Sequence, residues 1–188
     1  MPIYFITFLA LLGMAALLYV GALFIATFMR QPPPLLINGN TVHALKALHL
    51  AIAWANVGVG WLLYFNVYPI HADMAALGNT AFQAFARGYT TRLPIVVLPY
   101  GAGALAATLS LWAAEPGRLS RRARWGIASL WMLSIAATPW AAGAQGDMQD
   151  DGFSDAAFQQ LQTSHLARSL CLTVAAVWAL LQCRPSRD

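Results

Sequence analysis

The side chains of this sequence with spacings that could do chemistry are four histidines, an isolated arginine and a run of aspartates. His165 and Arg168 stand three residues apart, so on a helix they share a face. An imidazole beside a guanidinium can serve as general base and as stabiliser of an oxyanion or enolate, given hydrogen-bond reach to a substrate. His71, with Asp73 and Arg92 from the same connecting segment, could converge on that pair, making His165, Arg168 and His71 the candidate catalytic residues. His43, Lys46 and His49 follow one another at three-residue steps and cover an arc of about 120° on a helix. His49 lies deepest in the apolar run, where a neutral imidazole could ligate a haem iron or the magnesium of a chlorophyll-type pigment. His43 is too close along the same helix to supply a second axial ligand, so only a single-histidine cofactor site is expected.

Other candidates weaken on inspection. Counting Asp147 as the first position of a calcium loop puts Gly152 correctly at the sixth, but Phe158 stands where the closing glutamate belongs. Asp147 to Asp155 therefore reads as a solvated acidic connection, able to dock a basic partner. Cys171 and Cys183 are about 18 Å apart on one helix and cannot pair. No metal site is expected.

The elements that must position these groups follow from composition. The chain has 188 residues, 59% hydrophobic and 10% charged, against about half apolar and a quarter charged in an ordinary soluble domain. That balance excludes a soluble domain, disorder, a disulfide-stapled scaffold and a nucleic-acid-binding module. No charge precedes Arg30, and uncharged stretches run from Ala47 to Ala72, Leu93 to Ala114, Trp125 to Gly146 and Ser169 to Cys183. A hydrocarbon layer about 30 Å thick needs roughly 20 helical residues. The expectation is an all-α, polytopic transmembrane helix bundle, one integral membrane domain over residues 1–188, with five spans at about 3–29, 42–67, 93–114, 125–144 and 165–183. The first span lacks the basic start and the short apolar core of a cleavable signal peptide, and reads as a retained helix.

Connections and packing can also be anticipated. Pro32, Pro33 and Pro34 enforce an extended connector, after which Thr41 can cap the next helix. The segment from about Ile70 to Arg92 predicts a short helix lying at the interface. Pro139 should bend span four and Pro99 kink span three. Ser154 can cap a helix running into span five, extending it beyond the membrane. Ala51/Ala55 and Gly103/Ala107 offer close helix contact, Asn56 and Asn66 could bond across helices, and Trp61, Tyr64, Phe65, Tyr68, Trp112 and Trp125 read as interfacial anchors.

Orientation follows from charge. Arg118, Arg121, Arg122 and Arg124 crowd the connection between spans three and four, whereas the next connection holds Asp147, Asp150, Asp151 and Asp155. With the basic connection cytoplasmic, Arg30, Lys46, Arg184 and Arg187 also fall inside, the N-terminus is outside and the C-terminus inside. Arg168 is then a charge close to the outer surface, because the uncharged run after it spans only about 22 Å as a helix. Pairing with a loop carboxylate while the side chain snorkels is the simplest fate for such a group, but a charge in the membrane is also a functional candidate.

From about residue 42 onward the chain resembles the anthrone-oxygenase-like family of small bacterial integral membrane proteins. The resemblance rests on Tyr68-Pro69 closing a helix, the segment Phe82 to Arg92 running into Pro99, the Thr138-Pro139 pair, and Leu161, His165 and Arg168 opening the last helix. It implies a four-helix bundle with a site at its outer end, and the helix from Ile3 to Met29 is an addition to it. The chain departs where Pro139 is followed by Trp140-Ala141 in place of Pro-x-Asn, and where Gln162 to Ser164, without a tryptophan, precede His165. A second likeness, of Ala44 to His49 (ALKALH) to a helix of small haem-binding membrane proteins, involves that helix alone.

Because polar constellations are scarce, the expected function is that of a non-catalytic accessory subunit in the bacterial inner membrane, packed by its additional first helix and its aromatics against a larger respiratory or photosynthetic assembly. Its partners would be the lipid bilayer and other membrane subunits, and no nucleic acid. The alternatives are a membrane enzyme of the anthrone-oxygenase-like type using His165, Arg168 and His71, or a haem- or chlorin-binding protein using His49.

Overall fold

The computed structural model describes residues 3–29, 39–112 and 120–182, all in helices and short turns, with no strand among them. Five helices are long and apolar enough to cross a membrane. Helix α1 spans Ile3–Phe28. Helix α2, Gly39–Leu62, passes through a π-helical turn, Leu63–Val67, into α3, Tyr68–Ala75. Helix α4, Asn79–Leu109, ends in a 3₁₀ turn at Ser110–Trp112. Helices α5, Arg121–Ala136, and α6, Thr138–Asp151, are nearly continuous, and α7 covers Asp155–Leu181. The Pro-rich connector, Arg30, Arg118, Cys183, Arg184, Arg187 and the side chain of His43 lie outside the described residues.

Helices α2/α3, α4, α5/α6 and α7 form the bundle, and α1 packs along α4. At 1.5 Å per residue, the 31 residues of α4 reach about 46 Å, more than the roughly 30 Å of a hydrocarbon layer. The surplus lies at the end carrying the turns Ala76–Gly78 and Gly152–Ser154, called here the acidic end. There, Tyr68, Phe82, Met148 and Leu161 form a core separate from the one around Tyr100, Trp131 and Leu172.

Several expectations change as a result. The segment from Ile70 to Arg92 does not lie along an interface: α3 continues α2, and Asn79 begins a helix that runs unbroken past Pro94 and Pro99. Phe82 and Ala86 are buried against the other bundle helices, while Ile70 and Leu77 stay exposed. The acidic connection is mostly helical, since α6 reaches Asp151, and only a short turn remains, where Gly152 takes φ 97°. Such a φ favours glycine. Ser154 caps α7 by accepting from Ala157 N at 3.2 Å. Span four is interrupted at Ala137, just before Pro139. Thr41 lies inside the first turn of α2, two residues past its start.

Packing uses small residues where large rings arrive from neighbours. A methyl group at Gly103 would run into Trp131, and one at Gly126 into Trp178. Ala51 and Ala55 are exposed and take no part. Asn56 bonds within its own helix, to Ile52 O at 2.8 Å, because the helical carbonyl one turn back is within reach of its short side chain. Asn66 is exposed. Helix α1 is tied on by Trp112 Nε1 donating to Leu18 O at 3.0 Å and by a Tyr19–Ser129 hydroxyl bond of 2.8 Å.

Candidate functional site

The polar centre of the bundle begins with Gly60. Its missing side chain lets α7 approach, since a methyl group there would lie 2.9 Å from Ser169 Oγ. One turn before Ser169, His165 Nε2 lies 3.0 Å from Gly60 O. A carbonyl oxygen only accepts, so Nε2 carries the proton and donates, and Nδ1 of the neutral ring is an acceptor. The Tyr68 hydroxyl lies 3.1 Å from Nδ1, and therefore donates to it. Tyr68 and His165 are 3% and 4% exposed, and their rings meet edge to face at 4.8 Å.

The π turn brings Tyr68 to this place. In an uninterrupted α-helix, position 67 would share the face of Gly60, seven residues earlier. A π turn inserts one extra residue, and at Leu63–Val67 it passes that face to Tyr68. Tyr68 is thus a site residue buried in the bundle, where the sequence suggested an interfacial anchor. The correction has a physical cause, because a π turn has no periodicity signature.

Arg168 lies one turn beyond His165. Its guanidinium carbon is 4.9 Å above the ring of Tyr100, and Tyr100 donates to Ser134 Oγ at 2.9 Å. No carboxylate pairs with Arg168 among the described residues, and its Nε is buried without a hydrogen-bond partner. The loop carboxylates that might have paired with it stand on exposed positions of α3 and α6.

Tyr68, His165 and Arg168 line a cavity of about 310 Å³, roughly ten waters' share of liquid volume and within the range of small-molecule sites. Phe5, Phe8, Leu9, Leu93 and Val97 form its apolar wall; Thr90, Thr138, Gln145 and Gln149 face it with polar groups. Gln145 is 9% exposed, and its Nε2 is without a partner. Behind Tyr68, the hydroxyl of Tyr89 lies close to both Tyr68 and Gln145 without forming a good hydrogen bond to either. Burial first, then Tyr68 beside it, pushes the Tyr89 phenol up, so it keeps its proton as a donor. Thr90 Oγ1 donates to Gln149 Oε1 at 2.9 Å, which fixes the mouth between α4 and α6.

The other sequence candidates fall elsewhere. His71 is 1% exposed and packs against Tyr68, Phe85 and Tyr89, with Nδ1 3.3 Å from Val67 O. It supports Tyr68 from behind and does not line the cavity. Asp73 and Arg92 are exposed, and Arg92 borders a different groove between α2 and α4. His49 stands toward the opposite end, beside Trp131 at 6.0 Å, with Nε2 buried and without a partner. The cavity described above does not reach it. Cys171 is a free thiol, and no metal-binding group of histidine, cysteine or carboxylate side chains occurs among the described residues.

Sequence reading missed Tyr68, Tyr89, Tyr100 and Gln145. Gln145 carried a signal: it is an amide within the small-residue run Ala141 to Gly146, at a helical position that buries it. Comparison with protein-family models, curated proteins and solved structures gave no match to this chain.

Proposed function

We propose that the chain is a multi-pass membrane protein that binds a membrane-dissolved small molecule in the cavity beside His165 and exchanges a proton with it. The carrying observation is the fixed order Gly60 O, His165 and Tyr68 next to Arg168, whose Nε has no partner and which no carboxylate pairs among the described residues. Both imidazole nitrogens are engaged, so Tyr68 is the group that faces the ligand. Its oxygen can take a proton while its own passes to Nδ1, and the reverse transfer returns it. Arg168 stabilises negative charge on the ligand in a setting of low dielectric. This is the role expected for His165 and Arg168 as an enzyme pair, with Tyr68 in the place expected for His71. The resemblance to anthrone-oxygenase-like proteins is kept as a proposal of relatedness, since Tyr68, Thr138, His165 and Arg168, which carry it, all line this cavity.

In our reading the acidic end faces outward and the basic end faces the cytoplasm of a bacterial cell. A reporter fused after Asp188 should be active only inside.

The test uses the purified full-length chain exposed to a total lipid extract, with retained small molecules identified by mass spectrometry. Wild type should retain a compound that Arg168→Gln loses, and Tyr68→Phe should retain it unaltered. Equal retention and alteration by all three would refute the proposal.

A second reading, an accessory subunit of a bioenergetic complex, draws on the outward face of α1. There Phe24 and Phe28 meet at 4.9 Å and Leu17 is 74% exposed. Co-migration with other subunits after mild solubilisation, lost on replacing Leu17 and Phe24 by alanine, would support it. Migration as a lone chain would reject it.

A further inference from the structure

We infer that the ligand of this cavity is a single-chain amphiphile with a carboxylate head, and that it enters sideways from the lipid through the slot between α1 and α6. The inference rests on the reading of the cavity as a binding site and adds the class of molecule and its route.

The head group follows from the buried donors that lack partners. Gln145 Nε2 and Arg168 Nε belong to cavity-lining residues, and Tyr89 Oη lies against Tyr68 and Gln145. Buried polar groups in a folded protein are ordinarily satisfied, so a cluster of orphans marks a missing partner. Both unpartnered atoms on the cavity-lining residues Gln145 and Arg168 are donors, and one belongs to a cation that no carboxylate pairs among the described residues. The complementary group is an acceptor with a single negative charge, and a planar carboxylate offers two oxygens to a guanidinium and an amide.

The chain follows from the direction in which polarity changes. Gln149, Gln145 and Thr90 are on the parts of α6 and α4 toward the acidic end, whereas Phe8, Leu9 and Val97 line the deeper part, where the apolar span of α4 begins at Ile95. A molecule with its head between Gln145 and Arg168 and its tail along Phe5, Phe8 and Leu9 of α1 meets both walls.

The route follows from what α1 leaves uncovered. Helix α1 packs on α4, with minor contacts to α5, and forms no extended interface with α6. On the α6 side of the gap stand Ala142 and Gly146, and a methyl group added at Gly146 would meet nothing within 4 Å. The slot is therefore open because its α6 edge is made of small residues, and a larger side chain at 146 would project into free space.

The experiment uses the full-length chain in phosphatidylcholine nanodiscs, titrated with palmitic acid labelled with ¹³C at the carboxyl carbon, and with hexadecanol as a neutral control of the same length. The acid should bind saturably and at least about tenfold more tightly than the alcohol, and Arg168→Gln should remove that preference, as expected for a charge-assisted hydrogen bond. Gly146→Leu, which leaves Tyr68, His165 and Arg168 untouched, should slow both uptake and release of both probes by about tenfold or more, with unchanged unfolding. If acid and alcohol bind equally and saturably, the carboxylate assignment is overturned while the cavity stands as a binding site. If the acid binds selectively but Gly146→Leu leaves both rates unchanged, the lateral route is overturned. Displacement of the acid by phosphatidylglycerol would make the ligand a lipid phosphodiester and overturn the single-chain assignment. If neither probe binds and the lipid-extract test is also negative, the site reading itself falls.

Discussion

The hydrogen bond between Tyr68 and His165 is the most exposed point of the reasoning, and a double-mutant cycle tests it directly. Replacing Tyr68 by phenylalanine keeps the ring that packs against His165 at 4.8 Å and removes only the donor at 3.1 Å. His165 Nδ1 is then a buried acceptor without a partner, which should cost about 1–3 kcal/mol. Replacing His165 by phenylalanine keeps an aromatic ring but strands the Tyr68 hydroxyl and removes the bond to Gly60 O at 3.0 Å. The helical carbonyl of Gly60 keeps its backbone role, and Tyr89 is close enough to rescue part of the hydroxyl's need, so a loss of about 1–2 kcal/mol is expected. In the double variant neither group of the pair is stranded, and the two changes should cost less than their sum by about 1–2 kcal/mol. Unfolding would be followed in detergent micelles by helix content and by tryptophan fluorescence. Strict additivity of the two substitutions would show that the bond contributes nothing, and the role of Tyr68 as donor to Nδ1 would lose its basis.

Four further outcomes test the packing that holds the site. Gly126→Ala, whose methyl group would meet the Trp178 ring, should destabilise by about 1–3 kcal/mol in the same unfolding assay. Gly58→Ala, with nothing within 4 Å, should instead stabilise by about 0.5–1 kcal/mol, as is usual for glycine in a helix interior. Ser154→Ala removes the cap on Ala157 N and should cost about 1 kcal/mol. Gly152→Ala, at φ 97° and against the Asn79 side chain, should lose at least about 1–3 kcal/mol, with faster amide exchange at the start of α7.

The number of spans was legible because charge is excluded from hydrocarbon, and the positions of Arg92, Arg124 and Arg168 mark where apolar runs begin. Where the helices end was less legible. Hydropathy reports the layer a helix crosses, but Ala86, Ala157 and Leu161 are buried outside the apolar spans by one another, and nothing in a hydropathy window distinguishes that burial from an interface. His165 and Arg168 could be paired from their spacing alone, since both belong to one helix. Tyr68 could not, because its partner is 97 positions away and the helix carrying it changes period on the way.

The site lies where a π turn, two helix prolines and a helix break come together along one cavity. Leu63–Val67 is the π turn of α2, Pro94 and Pro99 interrupt the donor ladder of α4, and Ala137 separates α5 from α6 ahead of Pro139. Leu63, Thr90, Leu93, Val97, Thr138 and Arg168 line the same cavity. A regular bundle of this composition would close on itself, because apolar side chains on straight helices interdigitate to the density of a crystal. Here Pro94 can offer no N–H to the carbonyl of Thr90, the π turn shifts the facing register of α3 by one residue, and Ala137 separates α5 from α6. Each irregularity costs stability in its own helix, and none improves the packing of the apolar half around Tyr100 and Trp131. Their coincidence beside a guanidinium that no carboxylate pairs among the described residues is better explained by the cavity they open than by the fold they interrupt. Shifting the register of α3, by inserting a single alanine between Val67 and Tyr68, should turn Tyr68 by about 100° away from His165 and abolish ligand retention while leaving the helix content nearly unchanged.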